Sequence, residues 1–390
     1  MKKVASRKKI FLLPIYFLLF TFLISACNTE KRTEKKLQKD TSSVTDFEGS
    51  LVFQNVTLDQ ADEQGRPLWK VKAKQAVYTK DKKAARIQNP SGDLFQDGKM
   101  VMQITAQSGE VQEDGKKIFL KGQIVATDPR NGAVLKGNEL EWRPKEDLLI
   151  VRQNLVGTHQ KMEATAKEGR YFSRSQQMEL LGQIVATSKD PALQIRTEHL
   201  VWQIPQQMVV GDRRIQIDRY TGNRVTDQAV GDSGQVNLKT KMATLTKNVQ
   251  MTSLDPPVQI AGNSVTWNLN TQMVTSDQPV KVVHRQQQVT LTGNRGQVDL
   301  KGKVARLVGG VQGVGTRNQS QLYANQVTWN IPTEEFDAQG NVIYHQQVDP
   351  PLHLTGSRAV GKFQGQTVVV TGGGGGASGS GSRVVTEIIP

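Results

Sequence analysis

The chain has 390 residues, 37% of them hydrophobic and only 6% aromatic, and it is rich in Gln, Val, Thr and Gly. This mix favours strands and turns over helices, and the length suits either two ordinary domains or one elongated body of repeats. The formal net charge is +14, but five basic residues crowd the first nine positions, and the excess from residue 10 onward is +9. Such a charge suits nucleic acid, anionic lipid or polyanionic sugar alike, whereas the single cysteine excludes an internal disulfide.

Residues 1–27 predict an export signal. A basic start precedes an apolar run, and the run ends in Leu-Ile-Ser-Ala directly before Cys27, an order typical of secretory signals. The placement of Cys27 resembles a bacterial lipobox, so Cys27 is the predicted lipidation site. The alternative is an uncleaved membrane anchor, because the 17 residues from Ile10 to Ala26 lie at the lower limit for spanning a bilayer. Either way the remaining chain is exported on a membrane tether, which removes nucleic acid as a partner.

The next segments predict a linker and a first β module. Residues 28–46 are charged and polar without apolar periodicity, which is typical of a flexible linker. Residues 47–108 show strand-like alternation from Phe47 onward, and Gly65 to Ala73 indicates a turn followed by a strand.

A stretch that begins at a glycine and ends 33 residues later at a tryptophan then occurs four times. The four pairs are Gly109 and Trp142, Gly169 and Trp202, Gly234 and Trp267, and Gly296 and Trp329. The copies begin 60, 65 and 62 residues apart, so all variation in length follows the tryptophan. This is typical of loops beside a strand framework whose register is fixed by burial. Residues 109–371 therefore predict stacked repeats of about 60 residues, with four full copies and a partial fifth, and residues 372–390 predict a Gly/Ser-rich flexible tail.

Apolar residues recur inside each copy at fixed distances from the glycine. Offset nine holds Ile118, Met178, Ala243 and Ala305, offset eleven holds Leu120, Leu180, Leu245 and Leu307, and offset fifteen holds Ile124, Ile184, Val249 and Val311. Offset thirteen holds Gly122, Gly182, Lys247 and Gly309. Because side chains alternate between the two faces of a strand, offsets nine, eleven, thirteen and fifteen are predicted to share one face.

The tether, the segment Gly65-x-Pro67-x-Trp69-x-x-x-Ala73 and the repeat with its Leu-x-Gly-x-Ile/Val core resemble the lipopolysaccharide-transport proteins of the LptC/LptA family, over roughly residues 47–370. Residues 47–108 resemble the membrane-anchored component, and the repeats resemble the bridge-forming modules. The chain departs from the usual anchored component in being nearly twice as long and in carrying a lipobox where a transmembrane helix is typical.

The resemblance implies an all-β fold, an elongated V-shaped β-jellyroll whose apolar interior forms a groove for acyl chains. It implies a periplasmic protein tethered to a membrane, by preference the inner one, that passes lipopolysaccharide from an ABC transporter toward the outer membrane. Its implied partners are lipopolysaccharide or a related glycolipid, the Lpt-type transporter subunits, and other jellyroll bridge proteins joined by strand-edge addition.

The residues predicted to line that groove are the apolar column residues and the tryptophans. They are Trp69, Leu120, Ile124, Trp142, Leu180, Ile184, Trp202, Leu245, Val249, Trp267, Leu307, Val311 and Trp329. No catalytic residue, metal site or cofactor is predicted. His159 and His284 fall 50 residues after their glycines and His345 falls 49 after, too far apart along a stack to share a metal.

Other interpretations stay open at this point. The tryptophans could fill a closed core instead of lining a groove, because large rings do either. The chain could be a structural or adhesive β-solenoid lipoprotein of the cell envelope. A β-helical enzyme acting on polysaccharide would need a cluster of acidic or basic residues on one face, and the sequence does not present one.

Overall fold

The computed structural model describes residues 45–47, 50–112, 117–160, 162–347, 351–363, 368–372 and 385–388. The predicted signal, Cys27 and most of the linker lie outside these residues. The described residues form 29 strands and one 3-10 turn, and antiparallel pairing joins the strands in a single sheet. The prediction of an all-β, jellyroll-like fold is confirmed. In the part of the chain that is described, no helix is long and apolar enough to cross a membrane.

The 3-10 turn is Pro144–Glu146. The strands are β1 Thr45–Phe47, β2 Ser50–Ala61, β3 Pro67–Tyr78, β4 Ala84–Gln88, β5 Ser91–Gln96, β6 Lys99–Thr105, β7 Ser108–Gln112, β8 Ile118–Asp128, β9 Ala133–Arg143, β10 Leu148–His159, β11 Met162–Phe172, β12 Gln177–Lys189, β13 Ala192–Gln203, β14 Met208–Gly211, β15 Ile215–Thr221, β16 Arg224–Gly231, β17 Ser233–Asn237, β18 Met242–Ser253, β19 Gln259–Asn268, β20 Met273–Ser276, β21 Val280–His284, β22 Val289–Gly293, β23 Arg295–Asp299, β24 Val304–Gly315, β25 Ser320–Asn330, β26 Glu335–Gln346, β27 Leu352–Lys362, β28 Val368–Thr371 and β29 Val385–Ile388. The last strand lies within the stretch predicted as a flexible tail and pairs with β27.

Many of the long strands are bent at their middle by a β-bulge. In β8 the pairing with β9 shifts between Lys121 and Ile124, so Gly122 and Gln123 together face one residue of β9. Both residues have positive φ, 76° and 45°, and a bulge of this kind bends its strand. The same pair of left-handed residues recurs in β10, β12, β18, β24 and β26, at Gln153 and Asn154, Gly182 and Gln183, Lys247 and Asn248, Gly309 and Gly310, and Gly340 and Asn341.

These bulges mark a crease that divides the sheet into two walls. Where a strand is not bulged it can break instead, as between β4 and β5, β14 and β15, or β20 and β21. β13 crosses the crease whole, because it pairs with β15 through Leu193 to Arg196 and with β14 through Val201 to Gln203. We call the side that contains β5, β6, β15, β16, β21, β22 and β29 the first wall, and the side that contains β4, β7, β14, β17, β20, β23 and β28 the second wall.

The crease corrects the prediction for offset thirteen. Its four residues do not share the inner face with offsets nine, eleven and fifteen, because each occupies the first position of a bulge with positive φ. They are Gly122, Gly182, Lys247 and Gly309. Glycine recurs there because the left-handed region has no steric cost for it. The bulge adds one extra residue, and the strand again directs a side chain inward at offset fifteen.

The pairing explains why the glycine-to-tryptophan stretch never changes length. Gly109 lies directly opposite Leu120, and the offset-nine residue Ile118 lies directly opposite Trp142. The other three copies repeat both pairs. A Cβ atom on Gly109 would lie 2.5 Å from Leu120 Cδ2 and 2.7 Å from the carbonyl oxygen of Phe119. The glycine therefore lets the leucine pack across it, and a shift of register would lose both contacts.

Candidate functional site in the apolar interior

Every predicted groove residue lies in the apolar core enclosed by the two walls. None of the thirteen is more than 7% exposed, and six of them, including Trp142 and Val249, are 1% exposed. They belong to a single connected cluster of buried side chains that runs from Val56 to Val370. In this conformation the residues pack against one another in the core.

The interior of the first repeats contains one small cavity. A cavity between the walls, lined by Val71, Leu94, Ile104, Leu120 and Trp142 among others, measures about 10 Å³. That volume is at the limit of what one water molecule needs. An acyl chain can therefore occupy this part of the interior only if the walls move apart.

The structure places the candidates on both walls. The leucines at offset eleven and the tryptophans at the ends of the repeats belong to the second wall, while the residues at offset fifteen follow the bulge and belong to the first wall. Trp69 departs from the tryptophan row, because its strand pairs there with β5 of the first wall.

The rim opposite the crease, which we call the mouth, is where the hairpin turns of the two walls meet. The Tyr171 hydroxyl of the second wall donates a 2.6 Å hydrogen bond to the Asp128 carboxylate of the first wall. Arg130 pairs with Asp128 at 2.6 Å and donates to the carbonyl oxygen of Ser173 at 2.9 Å. Burial opposes the charge of Asp128, but these hydrogen bonds outweigh it and hold the pKa of Asp128 below its ordinary value. Burial and the bond to Asp128 raise the pKa of Tyr171.

Similar contacts close the mouth along the later repeats. Each links a first-wall turn or strand end to second-wall groups 43 to 51 residues further along the chain. They are Asp190 with Lys241 at 2.8 Å, Asp255 with Lys303 at 2.7 Å, Gln287 with the Ile331 carbonyl at 2.8 Å, and Ser320 with the Phe363 carbonyl at 3.0 Å. Ion pairs at the surface contribute about 0–1 kcal/mol each. The two walls are thus held together more weakly at the mouth than at the crease, because at the crease the backbone itself runs from one wall to the other.

Two of the histidines at offset fifty also join the walls. His159 packs edge-on against Trp202 of the next copy, with ring centroids 5.3 Å apart, and His284 packs in the same way against Trp329 at 6.2 Å. Burial lowers the pKa of both histidines. His345, one position earlier in its copy, lies directly opposite His353 instead, and their ring nitrogens are 3.1 Å apart. Among the described residues, no group of three or more His, Cys, Asp or Glu is placed to hold a metal ion.

The outer face of the second wall carries a ladder of alternating charges that the sequence did not predict. It runs through Arg143, Glu141, Arg152, Glu168, Arg170, Glu179, His199 and Asp212, with neighbours 2.7 to 3.4 Å apart. Ile150, 3% exposed, lies opposite Glu141 on one side and Arg170 on the other, so the ladder covers an apolar side chain. Burial opposes the charge of His199, but hydrogen bonds to Asp212 and Glu179 raise its pKa.

A single sheet folded along a crease about an apolar core, with its repeats in register, defines the class as a repeat-built β-jellyroll. The chain belongs to the LptC-related family of lipopolysaccharide assembly, whose model matches residues 15–149, 135–226 and 213–316. The three successive matches span well over half of the chain and confirm the resemblance that the repeat motifs indicate. Members of this family are envelope-associated transport and bridge proteins of the lipopolysaccharide transport machinery. A comparison with curated proteins finds no match.

Proposed function

We propose that this protein is a tethered periplasmic conduit that carries the acyl chains of lipopolysaccharide, or a related glycolipid, between its two walls. It receives the lipid from an inner-membrane ABC transporter and passes it toward the outer membrane. The observation that carries the proposal is the apolar interior, which runs unbroken through all the repeats and is bounded at the mouth by contacts between turns.

The energetics support a path of this kind. Exposing an acyl chain to water costs about 0.8 kcal/mol per CH₂, so a chain of about twelve carbons faces roughly 10 kcal/mol in crossing an aqueous gap. Lining the path with leucine, valine and tryptophan side chains removes most of that cost, since the acyl chain exchanges one apolar contact for another. The two walls of the protein then need only to move apart and close again, and the transporter supplies the energy.

The ends of the folded sheet suit partners that add strands. Within the described residues, β1 pairs only with β2, and β28 and β29 pair only with β27. Strand edges with a free side are templates for another β-protein. We propose that bridge proteins of the same fold dock at these edges and extend both walls.

Site-specific photocrosslinking in cells tests the conduit. A photoreactive residue at Leu180, Leu245 or Leu307, each at most 2% exposed, is expected to capture glycolipid. The same photoreactive residue placed at Thr266, which lies on the face of β19 opposite to that of Trp267, is the control and is expected to capture no lipid. Absence of a lipid adduct at all three leucine positions would refute the conduit. A purely structural or adhesive envelope protein predicts that absence, so one experiment separates the two functions.

The anchor needs its own test. We propose that Cys27 is lipidated, with an uncleaved signal anchor as the alternative. Metabolic labelling with a fatty-acid analogue is expected to mark the wild-type chain and not Cys27→Ala. Equal labelling of both chains would contradict lipidation at this residue.

A further inference from the structure

Among the described residues, three indole N–H groups lie in the interior without a hydrogen-bond acceptor. Trp142, Trp267 and Trp329 are 1%, 0% and 0% exposed, and their Nε1 atoms have no partner among the described residues. Trp69 differs, because its Nε1 donates to the Gln60 side chain at 2.9 Å. Buried indole N–H groups usually find an acceptor, since an unpaired donor forfeits the hydrogen bond that water would give it.

The three donors occupy equivalent places. Each tryptophan ends a repeat on the inner face of the second wall and lies directly opposite the offset-nine residue of its own copy. Between Trp267 and Trp329 the wall continues through β20, β23 and β24. Four steps of about 4.8 Å place these two rings about 19 Å apart along the wall. The same unpaired donor occurs at three equivalent positions, which indicates that the three groups bind a common kind of acceptor.

We infer that these N–H groups donate to the carbonyl oxygens of ester- or amide-linked acyl chains held between the walls. This rests on the proposed function, because a lipid reaches the indoles only when the mouth opens. An alkyl chain offers no acceptor, and a phosphate or sugar would lose far more hydration on entering an apolar core than a carbonyl does. The carbonyl is the acceptor that every acyl chain carries at its first carbon. The ligand class is therefore acylated lipid, distinguished from ether-linked lipid of the same length.

Two matched lipids test the inference on the purified full chain. Dimyristoyl phosphatidylglycerol carries ester carbonyls, and its di-O-tetradecyl analogue has the same chains and headgroup without them. We expect the ester lipid to bind about tenfold more tightly. The analogue 3-benzothienylalanine keeps the ring shape of tryptophan but lacks the N–H. Its introduction at Trp142, Trp267 and Trp329 is expected to bring the ratio of the two lipid affinities close to one. The same replacement at Trp69 is the matched control and is expected to leave the ratio unchanged.

Equal binding of the two lipids by the wild-type chain would overturn the inference while leaving the conduit intact. Binding of neither lipid would overturn the inference, whereas the conduit is tested separately by photocrosslinking. Indole ¹⁵N spectra give a second readout that does not depend on affinity. Saturation with the ester lipid is expected to shift the three N–H resonances and not that of Trp69. An equal shift with the ether lipid would show that the ester carbonyl is not the acceptor.

Discussion

Tyr171 and Asp128 stand on opposite walls and share a buried hydrogen bond of 2.6 Å, which ties the mouth shut in the first full repeats. Asp128 is fully buried and Tyr171 is 1% exposed, so neither group can replace the lost partner with water unless the mouth opens. We expect Tyr171→Phe to reduce the free energy of unfolding by about 1–3 kcal/mol, measured by denaturant titration, and to speed lipid uptake.

Tyr323→Phe provides the matched control for this prediction. Tyr323 is 38% exposed, and its hydroxyl donates to Gln321 on the outer face. This substitution is expected to leave both stability and uptake unchanged. Equal stability of the two variants would show that the Tyr171 bond does not hold the mouth.

Acid should weaken the contacts of the buried histidines. Burial lowers the pKa of His159 and His284, so the folded chain binds fewer protons than the unfolded chain at mildly acidic pH. Their stability contribution is therefore present above the ordinary pKa of about 6.5 and is lost as the pH falls below it. We expect the unfolding free energy to drop between pH 7.5 and 5.5, by at most about 1.4 kcal/mol per pH unit for each group. In the double variant His159→Gln, His284→Gln this drop should shrink.

His199 is expected to change the unfolding free energy with pH in the opposite direction, and it serves as the control. Its pKa is raised, so its contribution is present below about 6.5 and is lost as the pH rises through its folded value. His199→Gln should therefore cost more at pH 5.5 than at pH 7.5, by less than about 1 kcal/mol because the ladder lies near the surface. An unchanged pH profile in the His159 and His284 double variant would contradict the account of the mouth.

The glycine that opens each repeat is expected to resist substitution. A Cβ atom on Gly109 would meet Leu120 and the Phe119 backbone below 3 Å, so Gly109→Ala should destabilise the fold by about 1–3 kcal/mol. Gly157→Ala is the control, because its nearest contact would be the Leu135 side chain at 3.3 Å. Thermal unfolding of the two variants checks the prediction, and equal midpoints would refute it.

The repeat columns could be predicted from the sequence because alternation and register leave a periodic trace. Gly109, Leu120 and Trp142 recur at fixed distances, since the pairs that join them tolerate no insertion. The crease could not be predicted, because the alternation of inward and outward side chains continues beyond the bulge. Gly122 therefore falls in the pattern of the apolar face. A pattern of period two carries no sign of left-handed backbone.

The mouth contacts and the charge ladder left no such trace. Asp190 meets Lys241 across 51 residues, and the alternation of apolar residues says nothing about which turn meets which across the mouth. Most of the ladder residues occupy outward positions on neighbouring strands, with Glu168 and Arg170 both on β11. Their order appears only when the strands stand side by side.

A reversible tether across the mouth tests most directly whether lipid enters by separation of the walls. In a Cys27→Ala chain, Asp190→Cys with Lys241→Cys places two thiols where the walls already form an ion pair of 2.8 Å. A short bis-methanethiosulfonate would join them, and a reducing agent would release them. Thr244→Cys with Thr266→Cys, directly opposite each other within the second wall, forms the control tether.

We predict that the tethered mouth takes up no acylated lipid, that reduction restores uptake, and that the control tether has no effect. Undiminished uptake with the mouth tethered would contradict the account.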